Sequence, residues 1–590
     1  MVTITLRRKT NEVDAPGPWA VAAIATDNRG RRVVERRWTA EIRAVTLFVA
    51  FSAIYLCTRT ANYSIDAVRI ADDILQSQSA RTTYALIHPG YLLFGPIASA
   101  LWRLARSFGY VGGPLPVMAG LNCICGGIGI GIMSLLLRAV LTRSRALTVL
   151  VPIALGFSFG YWMSATDARA EMPATAAAIL AMYLLVQTML LPTPSRAIAA
   201  GLAVSLGILL HIFVAPMLIV GVIAVALAEY TQGTTQEENR ARSTNILAFL
   251  AAGIIPAVLV YAIVGLACLH LESFGRWQAW FEAGASRDWW WSPHPLENLR
   301  LDAYGFRRAL FVEPGEKSGT FHLSGVGGAL HAGLFWTTLL LWFAAVYAIA
   351  STTAFLIRTH YGSFLTISLA TVGIYAAVFT VVSPGFFVYW VPATISCSII
   401  MAICCSYFRG RRRGSLWLVG IGCWTAIFAA SNYVQFVGPH LDRDTNPNMV
   451  QAKDFEDRTL PGDIIVVSGF GDDTSLEEYV PYFAHREVFS LRASLEEHDG
   501  NSALAARDLQ TLVDRALGSG HKAYASGELW ENDDIRDRLR DEYGIHSTQQ
   551  LFGSLQRAPA WRDPQNPDLI VWKLLASPAG APTVSDFDAQ

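Results

Sequence analysis

Three short stretches concentrate the groups that could do chemistry in an otherwise apolar chain. SIDAVRIADDIL (64–75) carries Asp66, Arg69, Asp72 and Asp73, and ALIHPGY (85–91) follows with His88. A second stretch supplies Asp167, Arg169 and Glu171, and a third the lone His211. A carboxylate at the rim of an apolar cavity suits general-base work, because partial burial raises its pKa toward neutrality, where it takes a proton from a hydroxyl. Neighbouring arginines and imidazoles suit the offsetting of a phosphate, arginine through its forked donors. A helix over 65–75 puts Asp66 and Asp73 on one face beside Arg69 and turns Asp72 elsewhere; Asp167 and Glu171 share a face in the same way. A plainer reading stands beside each. Asp66, Arg69 and Asp73 also fit an ion-pair triad, His88 a helix-start residue ahead of Pro89, and His211 a buried polar group satisfied locally.

What must position these groups is a membrane. Of 590 residues 53% are hydrophobic and 16% charged, against about 25% charged in ordinary globular chains, and mean hydropathy is +0.35. Residues 1–38 are arginine-rich without an early apolar core, which predicts a disordered cytoplasmic N-terminus and a first span that does the targeting. A transmembrane domain is expected over 39–433. Its spans fall near 44–57, 116–137, 147–162, 173–191, a tight pair within 197–228 turning near His211 and Pro216, then 245–269, 333–357, 362–382, 386–407 and 415–433, about eleven in all. Arg138, Arg143, Arg145, Arg196, Arg358 and RGRRRG (409–414) then lie on the cytoplasmic side. Outer loops 58–113 and 270–331 and residues 434–590 lie on the other side, with the reactive groups. Tyr91–Leu104 is apolar but short and reads as a helix in the outer interface. The second loop carries Trp277, Trp280 and Trp289–Trp291 and rests on the outer leaflet, either as an anchor or over a lipid entrance. The eight cysteines sit in or beside apolar runs without zinc-ligand spacing and read as packing residues.

The tail changes character. GDIIVVS (462–468), REVFSL (486–491), HKAYA (521–525) and DLIVWKLL (568–575) read as strands; 502–517 and 532–543 have helical spacing with a polar face. Together they predict a small extracytoplasmic α/β domain over 434–590. GFGDD (469–473) follows a strand but lacks the spacing of a nucleotide-binding loop, and reads as a plain turn.

Asp66 to Leu75 followed by IHPGYLL (87–93) resembles the first outer loop of the GT-C glycosyltransferases, which include protein O-mannosyltransferases and aminoarabinose transferases. Glu171-Met172-Pro173 resembles their acidic-x-Pro element, and LGILLH (206–211) is similar to the small-residue helix that carries a Lys or His. IIVVSGFGDDTSLEEYVPYF (464–483) resembles the tail of O-mannosyltransferase-like membrane proteins. The resemblance implies a polytopic GT-C-like fold with a soluble α/β tail. It also implies an inverting transfer of a sugar from a polyprenyl-phosphate donor to a hydroxyl of a protein, lipid or glycan. Asp66 would be the catalytic base, Glu171 would orient a sugar or acceptor group, and Arg69, His88, Arg169 and His211 would bind substrate. No cofactor is required, since fixed donors make phosphate a good leaving group; the Asp72/Asp73 pair leaves a divalent ion open. Nothing in the chain points to nucleic acid. Ala67 and Gly90 stand where the family often has an acid and a second proline, which keeps a catalytically inactive relative as one alternative. A secondary transporter or flippase is the other.

Overall fold

The computed structural model describes residues 29–79, 86–141, 144–228, 235–283, 295–310, 361–383, 385–409, 414–553, 555–562 and 570–575. The expectations for Trp289–Trp291, for the span 333–357, for most of the loop 284–331 and for residues 1–28 lie outside the described residues. Helix α1 (Arg29–Cys57) starts within the stretch read as disordered, because its arginines and Glu35 are good helix formers that extend the apolar part, Thr39–Cys57, backwards. This span packs along α4 (Leu115–Val140), whose GGIGIGI run (126–132) lets two backbones approach. A Cβ on Gly127 would run into Phe48 and Ser52, and one on Gly131 into Ala44 and Phe48.

Between them α2 (Ile65–Ser79) and α3 (Phe94–Ser107) are too short to span. Helix α3 is the short helix expected over Tyr91–Leu104, shifted three residues along because the Pro89-Gly90 turn occupies its start. The stretch read as one straight span over 147–162 is instead two helices, α5 (Leu147–Gly156) and α6 (Phe159–Thr166), bent by 66°. Ser158 between them adopts an extended backbone with ψ 143°, which breaks the helical ladder. Helix α7 (Glu171–Leu190) packs on α4.

Helix α8 (Pro194–Leu210) reaches about 25 Å at 1.5 Å per residue, short of the ~30 Å hydrocarbon core. After His211 and a 3-10 turn (Ile212–Val214), α9 (Met217–Ala226) doubles back, and both helices meet α10 (Thr235–Ile263) at Phe249, opposite Gly201 and Gly221. The expected tight pair is therefore a hairpin of two helices, each short of a full span. Helices α11 (Phe274–Ala283), α12 (Pro295–Leu310), α13 (Gly362–Phe379), α14 (Val391–Arg409) and α15 (Gly414–Asn432) complete this part. Among the described residues six helices are long and apolar enough to cross a membrane, and the bent α5–α6 pair makes a seventh. The protein is thus a multi-pass membrane protein, though the described helices give fewer full spans than eleven.

After Val437 the chain builds α16 (Pro447–Arg458), capped by Asn446, then α17 (Leu476–Tyr479) and α18 (Ser502–Gly518) around a five-stranded sheet of order β2-β1-β3-β5-β4. Strands β1 (Ile464–Val467), β2 (Glu487–Ser490) and β3 (Ala523–Ala525) are parallel, and β5 (Ile570–Leu575) joins antiparallel. Strand β4 (Gln556–Arg562) was not expected from its sequence, which contains Pro559. It lies at the edge with an irregularity between Pro559 and Trp561, where a missing N–H donor is tolerated. Strand β1 is buried on both faces: Ile464 and Val466 pack in the core beneath α18, Ile465 and Val467 against the loop helices of the membrane part.

Candidate active site

Helix α2 buries Ala67, Val68, Ile70, Ala71 and Ile74, so Asp66, Arg69 and Asp73 come to its more open face. Asp66 Oδ1 accepts from Arg69 Nη2 at 2.9 Å. Its Oδ2 accepts from Arg169 Nη2 at 3.1 Å, and the same nitrogen reaches Glu171 Oε1 at 3.0 Å. One guanidinium thus bridges an acid of α2 to the first residue of α7. The exposures separate their roles, with 44% of the Asp66 side chain open against 6% of Arg169 and 6% of Glu171. Glu171 was expected to touch substrate; it lies instead behind Arg169, where a buried carboxylate needs a paired cation. Arg169 also rests on Phe386, 5.2 Å from the ring centre.

The second half of the site is a clasp between two irregular backbones. The Ile212 N–H donates to Gly90 O at 2.8 Å and the Leu93 N–H to Leu209 O at 2.9 Å, which pins the His-Pro-Gly turn onto the α8–α9 bend. The Tyr261 hydroxyl of α10 donates to Pro89 O at 2.5 Å. His88 Nδ1 accepts the Gly90 N–H at 3.0 Å and His211 Nδ1 the Phe213 N–H at 3.2 Å. With Nδ1 accepting in both rings, each neutral imidazole carries its proton on Nε2 and offers it as a donor. The rings form a row: His88 stacks on Tyr91 at 4.1 Å, Tyr91 lies 6.2 Å from His211, and His211 lies 5.7 Å from Tyr389.

Burial pushes the Asp66 carboxyl up, but Arg169, then Arg69 and the two histidines, more than offset it and hold it below its ordinary value. The sequence argument, that partial burial raises this group toward neutrality, fails here because two arginines converge on it. It describes Asp73 instead, which burial pushes up to about 7. Asp72, also raised by burial, accepts from Gln76 at 2.5 Å. Among the described residues no group of three or more His, Cys, Asp or Glu is arranged to hold a metal ion, so Asp72 and Asp73 gain no third ligand.

Asp66, Arg69, His88, Arg169, Glu171 and His211 therefore come together from five places: α2, the His-Pro-Gly turn, the link 167–170, the start of α7 and the α8–α9 bend. Asp167 stands behind them, 1% exposed, accepting the N–H groups of Ala168 at 2.7 Å and Ser64 at 3.3 Å. Sequence reasoning missed Tyr91, Tyr261, Phe386 and Tyr389. The available signal was GFFVYW (385–390), an aromatic run at the head of a span, which reads equally well as an interfacial anchor.

ArnT from Cupriavidus metallidurans, solved with undecaprenyl phosphate bound, shares this fold with a TM-score of 0.52 and 12% identity, over 94% of this chain and 100% of the ArnT chain. Its apo form gives 0.53 and 12%, over 91% and 99%. No protein-family model matches the chain, and no curated protein matches it in sequence. At such low identity the likeness establishes the fold alone: that of the two ArnT structures, tail included.

Proposed function

We propose that the chain is an integral-membrane, inverting glycosyltransferase that moves a sugar from a polyprenyl-phosphate donor to a hydroxyl acceptor on the non-cytoplasmic face. The observation that carries this reading is a half-open carboxylate, Asp66, held between Arg69 and Arg169 beside two imidazoles that present Nε2–H donors. The fold shared with ArnT, which binds undecaprenyl phosphate, supports the donor class. The arginine-rich segments on the opposite side support the orientation, with the N-terminus cytoplasmic and residues 434–590 outside.

In such a transfer the acceptor oxygen attacks the anomeric carbon opposite the phosphate. The bond from that carbon to the phosphate oxygen breaks, and the electron pair leaves on the phosphate. Asp66 receives the acceptor proton. A carboxylate held below its ordinary pKa is a weak base, so it takes the proton late, once the new bond has made the acceptor oxygen acidic. Arg69, Arg169 and the Nε2–H groups of His88 and His211 offset the charge growing on the phosphate, and no metal ion is needed for that task. Glu171 acts through Arg169 and is a positioning residue.

The test is transfer by the purified, reconstituted protein from a panel of polyprenyl-phosphate sugars to lipid, glycan and protein acceptors. Asp66→Asn is expected to lower the rate by about 10²-fold or more. Unchanged transfer in that variant removes Asp66 from the mechanism, and no transfer from any donor by the wild type overturns the reading.

A further inference from the structure

Asn122 lies in α4, seven residues inside a membrane span, and is 0% exposed. A polar side chain at such depth is costly and marks a specific task. Its Nδ2 donates to Asp167 O at 2.8 Å and to Arg169 O at 2.5 Å. These two carbonyls belong to the link 167–170 between α6 and α7. All four residues of the link are buried; the backbone is extended at Asp167, and the Arg169 carbonyl meets Pro173 four residues on, which has no N–H to give it. Asn122 Oδ1, by contrast, has no hydrogen-bond partner among the described residues. The amide is therefore placed for what it donates. Arg169 hangs from the backbone that Asn122 holds; among the described residues its Nε has no hydrogen-bond partner, so apart from the Phe386 ring it rests on, its side chain is held by Nη2 alone, on Asp66 and Glu171.

We infer that Asn122 is a positioning residue that sets the reach of Arg169 to Asp66 by clamping two carbonyls of the 167–170 link. The inference rests on the glycosyltransferase reading for its functional meaning, but the geometry can be tested without any substrate. The groups that face Asp66 are Arg69 of the same helix, Arg169 of the link, His88 of the clasp and His211 of the α8–α9 bend, with Tyr91, Glu171 and Tyr389 beyond them. Loosening Arg169 withdraws the largest of the influences that lower the Asp66 pKa. The carboxyl must then titrate higher.

Infrared titration of the reconstituted full chain reads this directly, with Asp66→Asn as the difference reference. In Asn122→Leu, close in volume but without a donor, the Asp66 band is expected to titrate at least about one pH unit higher, a tenfold change in its proton affinity. Asn122→Ala removes the donor without adding bulk and serves if the leucine variant does not fold; the same shift is expected. Asn122→Ser keeps a hydroxyl donor and is expected to recover at least half of the shift. A wild-type titration in a folded Leu or Ala variant overturns the inference, and so does a serine variant that shifts as far as alanine, since packing alone would then account for it. Transfer measured alongside keeps the two proposals apart. A wild type that transfers nothing, yet shows the Asn122-dependent shift, removes the glycosyltransferase reading and leaves the clamp standing.

Discussion

Arg169 carries two acids on one nitrogen, and the balance among the three sets what each can do. Asp66 is half open and shares its charge with Arg69, so water and a second cation serve it if Arg169 is lost. Glu171 has neither, being 6% exposed with Arg169 as its ion-pair partner. Removing one side of a buried pair strands the other at a cost of about 3–5 kcal/mol. Arg169→Gln is therefore expected to lower stability by roughly that amount, with Arg169→Gln/Glu171→Gln recovering most of it, as read from denaturation of the reconstituted protein. A double variant no more stable than the single would sink the stranded-charge account. Asp66, Arg69, His88, Arg169, Glu171 and His211 were legible in the sequence because charge is rare in this chain and each group stands out against an apolar background. Tyr389, Phe386 and Asn122 were not, because aromatic residues and a lone amide are ordinary inside or beside a span until their partners are seen. The roles were less legible still: the side of Arg169 on which Glu171 falls depends on how deep α7 starts, and no spacing rule gives that.

Helix α2 serves two neighbours. Its first turn faces the site, while its middle faces α17, where Glu477 and Glu478 approach Arg69 from the tail and Glu478 also feels Asp72 and Asp73. Burial pushes both Glu478 and Asp73 up to about 7, with Arg69 offsetting part of the effect and the neighbouring acids adding to it. Both folded values lie above the unfolded ones, so the folded protein binds more protons than the unfolded chain between about pH 4 and 7. The stability these groups contribute is present below that window and is lost as pH rises through it. The thermal midpoint of the wild type is therefore expected to fall from pH 5 to pH 8, and Glu478→Gln to flatten that fall by raising the midpoint at pH 8. Equal midpoints at the two pH values in the wild type would remove the interface acids from the account. Helix and strand positions on either side of this contact were readable from hydropathy and alternation. The bend at Ser158 was harder, since a 20-residue apolar run has the same composition whether it runs straight or breaks, whereas the hairpin at His211 was readable because the run 197–228 is too long for one span. Strand β4 stayed hidden because Pro559 argues against a strand everywhere except at an edge, and edges are a property of the finished sheet.

At the scale of the whole molecule, the described residues form three hydrophobic cores, of which two belong to one part each and the other is shared. The shared core joins Tyr63, Val68, Ile74, Leu86, Phe94 and Trp102 of the segment between α1 and α4 to Ile465, Val467, Tyr479 and Val480 of the tail. The Tyr479 hydroxyl donates to Tyr63 O and accepts from Asn446 at 3.1 Å, while the Ala61 N–H donates to His440 O at 2.7 Å. Full burial of a large apolar side chain is worth about 1.5–3 kcal/mol, so the four tail residues alone contribute on the order of 6–12 kcal/mol. A tail cut free would expose one face of its sheet, and a membrane part cut free would expose α2 and α3, whose positions define the site. Residues 439–590 expressed alone are therefore expected to aggregate or to be degraded by trypsin within the time that the full chain resists it. A chain ending at Val437 is expected to lose its single size-exclusion peak. Recovery of residues 439–590 as a monomer with a cooperative melt would show that the shared core is dispensable to the tail. The tail would then be a cap laid on a site that forms without it.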